Sequence, residues 1–156
     1  MTDPFSAFVG GTALLGTAIS STLALITYTQ DVKDASKERK SLATEAITLL
    51  KLLNDLRGRA EANSLEGEWQ DLLRSLAEPR GLLEQYQEGF DDLAKKLKFD
   101  KATGKLRKEG RLWSVSTKLT WTMAKSEIDK LMVLIQRLMT HINTVLNIGQ
   151  LCVSLP

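Results

Sequence analysis

The stretch Pro4–Gln30, PFSAFVGGTALLGTAISSTLALITYTQ, contains no charged side chain, and its reading decides the fold. As a helix rising about 1.5 Å per residue it runs roughly 40 Å, longer than the ~30 Å hydrocarbon core of a bilayer. Gly10, Gly11, Gly16, Ser20, Ser21 and Thr22 dilute its apolar content, so a membrane span is marginal. An uncharged helix is buried somewhere. Two readings follow: a core helix of an all-α domain, or a helix buried at rest that enters a bilayer on activation.

Plotted at 100° per residue, the stretch separates into three sectors. Phe5, Phe8, Leu15, Ile19 and Ile26 form one bulky stripe, and Leu14 with Leu25 forms a second patch. Thr12, Gly16, Ser20 and Ala24 make a row of small residues that permits close helix approach. The second patch is expected to matter less to a bundle than the main stripe, so a charge placed there should leave folding intact.

Working outward, Leu42, Ala46, Leu49, Leu53, Leu56 and Ala60 alternate by four and three, predicting a helix over 36–62. Asn63, Ser64 and Gly67 interrupt that pattern. Trp69, Leu72, Leu73 and Leu76 then predict a short helix that Pro79 ends. Leu83, Tyr86, Phe90, Leu93 and Leu97 predict a helix over 81–98, and Ile128, Leu131, Ile135, Leu138, Ile142 and Val145 one over 124–148, capped by Gly149. Residues 99–111 carry two glycines and no apolar period and read as a loop. No stretch alternates with period two for long enough to predict a strand. The expected fold is all-α, an up-down four-helix bundle with a short additional helix and the uncharged N-terminal helix packed into it. One domain spans 1–150, and 151–156 is a tail or the start of a linker.

Composition narrows the function. The single cysteine, Cys152, leaves no disulfide framework and favours a reducing compartment. The early sequence has Asp3 rather than a basic segment, so a cleaved signal is not expected, and Thr2 excludes N-myristoylation. One histidine, His141, with one cysteine cannot build a His/Cys zinc site. Phosphate-binding glycine loops and Glu-x-x-His pairs are absent, and Asp91 and Asp92 point about 100° apart on a helix. No enzyme activity, metal or cofactor is expected.

Charge is unevenly placed. The net charge is +2, yet Lys95–Lys118 holds nine basic residues against Asp100 and Glu109. Trp113 sits within that window and Trp121 just beyond it. Lys101, Lys105, Arg107, Lys108, Arg111 and Trp113 are therefore candidate contacts to anionic lipid headgroups, each basic residue contributing about 1 kcal/mol near such a surface. Alternatively, the tryptophans anchor an exposed basic loop to the bundle. No nucleic-acid motif accompanies the charge.

The order Asp3-Pro4-Phe5-Ser6, a small-and-apolar helix, Tyr28, Val32-Lys33-Asp34-Ala35, then a leucine-seamed helix resembles fungal HeLo-like N-terminal domains of NACHT, ankyrin and related receptor-like proteins. Gly81-Leu82-Leu83-Glu84 through Leu93-Ala94-Lys95-Lys96-Leu97, the basic loop, and Trp121 with Lys125 and Glu127 extend the likeness over nearly the whole chain. Ser36 and Thr122 stand where that family commonly has proline, and Gly10-Gly11 is unusual for it. The resemblance implies a cell-death execution domain, similar to the four-helix bundle of the necroptosis effector pseudokinase. By that resemblance it would be cytoplasmic at rest, with a C-terminal regulatory region or receptor-like partner triggering homo-oligomerisation and relocation to the plasma membrane. Membrane insertion would then fall on Phe5, Phe8, Val9, Leu14, Leu15, Ile19, Leu23, Leu25 and Ile26, with Thr12, Gly16, Ser20 and Ala24 as an oligomer contact. A docking module that never inserts is the alternative, and a single-pass anchor with a cytosolic bundle is a third.

Overall fold

Apolar residues spaced by three and four need a partner along one face of a helix, and this chain supplies several such faces. In a computed structural model, residues 4–30, 37–62, 71, 74, 81–105, 121, 122 and 124–154 are described, with side chains between 13 and 147. Four helices result: α1 (Pro4–Gln30), α2 (Lys37–Ala62), α3 (Leu82–Leu97) and α4 (Lys125–Ser154), with no strand among the described residues. The predicted seams are the core. Leu42, Ala46, Leu49, Leu53, Leu56 and Ala60 of α2 are buried, as are Leu83, Tyr86, Phe90, Leu93 and Leu97 of α3 and Ile128 through Val145 of the α4 seam.

The helices form an all-α bundle with a ring of neighbours. α1 packs on α2 and α3, and α4 packs on the same two; among the described residues α1 and α4 face each other across a diagonal without close backbone approach. Tyr28 at the end of α1 stacks on Phe99 just beyond α3, with ring centroids 4.6 Å apart. Glu38 at the start of α2 accepts from the Trp121 indole N–H at 3.4 Å, just before α4 begins. The C-terminal ends of α1 and α3 thus meet the N-terminal ends of α2 and α4 at one end of the bundle.

Helix ends follow local chemistry with one exception. Lys98 adopts the left-handed conformation (φ 60°, ψ 43°), and the Lys98 and Phe99 N–H groups both donate to the Ala94 carbonyl, which closes α3. Lys95 and Lys96 in the last turn oppose the negative end of the helix dipole. The exception is α4. It passes through Gly149, the expected cap, and ends at Ser154, so the expected tail at 151–156 is largely helical. A glycine inside a helix costs only about 1 kcal/mol, and no breaker follows it before Pro156. The expected short helix around Trp69 lies outside the described residues apart from helical Asp71 and Arg74.

Candidate functional site

α1 is the element that needs explaining, because it brings no charge to its own exposed face. The structure seats Leu15, Ile19, Leu25 and Ile26 in the core, with Leu14 partly buried against it. This corrects the expectation for the second patch: Leu25 is fully buried, so a charge there would break the bundle. The cause is geometric. α1 is held between α2 and α3, two neighbours at an angle, and both apolar sectors of its wheel are therefore used. Leu23 is instead the open apolar position, 49% exposed. Phe5, Phe8, Val9 and Thr12 lie on helical backbone, with side chains outside the described residues.

The small row divides. Gly16 has open space where a side chain would stand, and Ser20 is exposed, whereas Ala24 is buried. Ala24 is covered by the turn that follows α3. A Cβ on Gly104 would collide with the Ala24 carbonyl oxygen and lie 3.0 Å from Thr27 Cβ, and Gly104 has φ +75°. Only glycine allows this approach.

The contact of α1 with α3 includes polar side chains. Tyr86 and Thr22, both fully buried, place their hydroxyl oxygens 2.7 Å apart, and Thr22 also donates to the Ala18 carbonyl at 2.7 Å. A threonine has one hydroxyl proton, so Tyr86 is the donor between them. Burial pushes the Tyr86 phenol far above its ordinary range, offset only in part by Thr22, and the group remains a donor. Nearer the surface, Ser21 donates to Gln87 Oε1 at 2.8 Å, Gln87 Nε2 donates to Asp91 Oδ1 at 3.1 Å, and Lys101 pairs with that same oxygen at 3.5 Å.

Every described threonine of α1 satisfies its hydroxyl proton within the helix. Thr17 donates to Ala13, Thr22 to Ala18, Thr27 to Leu23 and Thr29 to Ile26, at 2.7 to 3.1 Å. Threonines in α2 and α4 do the same, as Thr44 and Thr140 show, but those helices carry charges. In α1 internal satisfaction coincides with the absence of charge.

The end of the bundle beside Tyr28 is rich in lysine. Lys37, Lys40, Lys95, Lys98, Lys101 and Lys105 are exposed there, interspersed with exposed Glu38, Asp92 and Asp100. Lys101 is held by Asp91, and Lys96 by Glu127 at 2.8 Å, a contact that keeps the Glu127 carboxyl below its usual range. Of the predicted lipid contacts, Lys101 and Lys105 are thus placed at this end, and Arg107, Lys108, Arg111 and Trp113 lie outside the described residues. Trp121 is an anchor. Its ring sits under the Arg39 guanidinium at 4.6 Å, and Arg39 also faces Tyr28 at 5.9 Å.

Arg39, only 4% exposed, and Phe99, fully buried, went unmarked in the sequence. Arg39 lies three residues before Leu42, on the backward extension of the α2 seam, and that register was the available signal. Phe99 offers no period, because it enters the core from a turn.

Two open grooves flank α4. One, of about 440 Å³, is lined by residues including Leu82, Arg137 and His141, and one of about 430 Å³ by residues including Val133 and Leu134. Among the described residues there is no group of acidic, histidine or cysteine side chains able to hold a metal, and no helix long and apolar enough to cross a membrane. Compared with known protein families, curated proteins and solved structures, the chain matches none.

Proposed function

We propose that this chain is a non-enzymatic cell-death effector domain of the HeLo-like kind, inert as a helical bundle and membrane-permeabilising once α1 is released. The observation that carries the reading is α1 itself: an uncharged helix whose described threonine hydroxyls bond within it, so that moving it to an apolar medium strands few polar groups. The lysines beside its C-terminal end supply attraction to anionic headgroups. Since no described helix is long and apolar enough to cross alone, released α1 helices act together, with the open faces at Gly16 and Ser20 packing between copies. A regulatory region or receptor-like partner controls release, and the protein moves from cytoplasm to plasma membrane.

The test is Leu23→Glu. Leu23 is half exposed, so the variant should keep its unfolding midpoint, while a charge on α1 should abolish leakage of phosphatidylserine-containing vesicles. Undiminished leakage by a folded Leu23→Glu protein refutes insertion through α1. A second reading, a docking module that never inserts, is favoured by Val133, 46% exposed beside Leu134 on the outer face of α4. Val133→Glu should leave leakage intact under the first reading and remove partner binding under the second.

A further inference from the structure

We infer that the turn 98–105 is a retaining strap for α1, whose loosening frees that helix while α2, α3 and α4 stay packed. The inference deepens the proposed function, on which it rests for its purpose, by naming what holds the releasable helix at rest.

Two contacts reach α1 directly from this one turn, and a third acts through side chains of α3. Phe99 enters the core, stacks on Tyr28 at 4.6 Å and leans on Phe90 of α3 at 5.8 Å. Gly104 lays its backbone over the Ala24 carbonyl and Thr27, so closely that no side chain fits. Lys101 reaches back to Asp91, the acceptor for Gln87, which in turn accepts from Ser21. The strap therefore touches α1 from Ala24 to Tyr28, near the C-terminal end of the helix.

The turn does not depend on α1 for its shape. Asp100 braces it from within: its carboxylate accepts from the N–H groups of Ala102 and Thr103 at 2.7 and 3.1 Å, its carbonyl from Gly104 at 2.8 Å, and its own N–H donates to the Lys105 carbonyl at 2.8 Å. A self-braced turn anchored to α3 can act as a fixed clamp on its neighbour. The ring of helices adds the second requirement. Because α1 does not approach α4 among the described residues, its departure leaves α2 and α3 still joined through α4. Opening of α1 is then a local event rather than global unfolding.

The experiment is amide hydrogen exchange on the intact chain in buffer, without membranes, comparing the parent with Gly104→Ala. The alanine meets the Ala24 carbonyl and a left-handed backbone, so amides of residues 21–29 should exchange about tenfold faster or more while the centres of α2, α3 and α4 keep their rates. Should Gly104→Ala fail to fold, Asp100→Ala, which removes the carboxylate part of the internal brace, decides with the same expected pattern. Unchanged exchange in α1, or equal acceleration in all four helices, overturns the strap. Vesicle leakage is read separately: a protein with selectively opened α1 that still leaves vesicles intact refutes the membrane reading and not the strap.

Discussion

The hydroxyl pair between Thr22 and Tyr86 gives the sharpest quantitative test of how α1 is held. Both residues are fully buried, and the proton assignment is forced, with Tyr86 donating to Thr22 and Thr22 to Ala18. Tyr86→Phe deletes the donor but leaves Thr22 bonded to its own helix, so the loss is one buried neutral hydrogen bond, about 1 kcal/mol. Thr22→Val keeps the shape and strands the Tyr86 O–H in the core, which costs about 1–3 kcal/mol because the orphan has been desolvated. The double variant removes both ends, and should be less damaging than the sum of the singles by about 1 kcal/mol. Urea unfolding of the four proteins measures this directly, as shifts in midpoint at constant slope. Additive effects, with coupling below about 0.3 kcal/mol, would show that the pair does not bind α1 to α3.

Three further outcomes follow from the same geometry. Burial raises the phenol pKa of both tyrosines above the ordinary value of 10, Tyr28 less simply because the nearby Arg39 charge lowers it. The unfolded chain therefore loses these protons first: stability is intact below about pH 10 and falls above it by up to about 1.4 kcal/mol per pH unit for each tyrosine, a slope that Tyr86→Phe should reduce in an alkaline unfolding series. Leu25→Ala should cost about 2–5 kcal/mol and Leu23→Ala less than about 0.5 kcal/mol, and comparable losses in thermal melts would contradict their burial. Lys98→Gly should raise stability by up to about 1 kcal/mol by relieving the left-handed cap, and a loss in the same melts would show that the lysine side chain matters more than its backbone.

The helices were legible because their seams obey one rule. In α2 every residue of the alternation from Leu42 to Ala60 is buried, since a helix with one apolar face has only one way to turn it. α1 was less legible for the same physical reason. Its apolar residues ring more of the wheel, so periodicity could not say which of Leu23 and Leu25 faces out, and only the positions of α2 and α3 decide it. Gly149 looked like a stop, but glycine permits a cap without imposing one. Long-range polar contacts such as Ser21 with Gln87, separated by 66 positions, have no signature in local sequence. Arg39 was hidden by composition: an arginine on an apolar seam reads as an error until two aromatic rings are found around it.

The ring arrangement, in which α1 packs on α2 and α3 among the described helices, bears on how any role of this helix should be probed. Deleting residues 1–30 would leave a connected three-helix remnant, but one with the faces of α2 and α3 that pack on α1, Tyr86 among them, stripped of cover along a trough one helix wide. Such a remnant is adhesive rather than neutral: it would cling to vesicles, to other proteins and to itself through that trough, and its behaviour would report the wound more than the missing part. Single substitutions on the outward side of α1 keep the trough filled, and are the cleaner comparison.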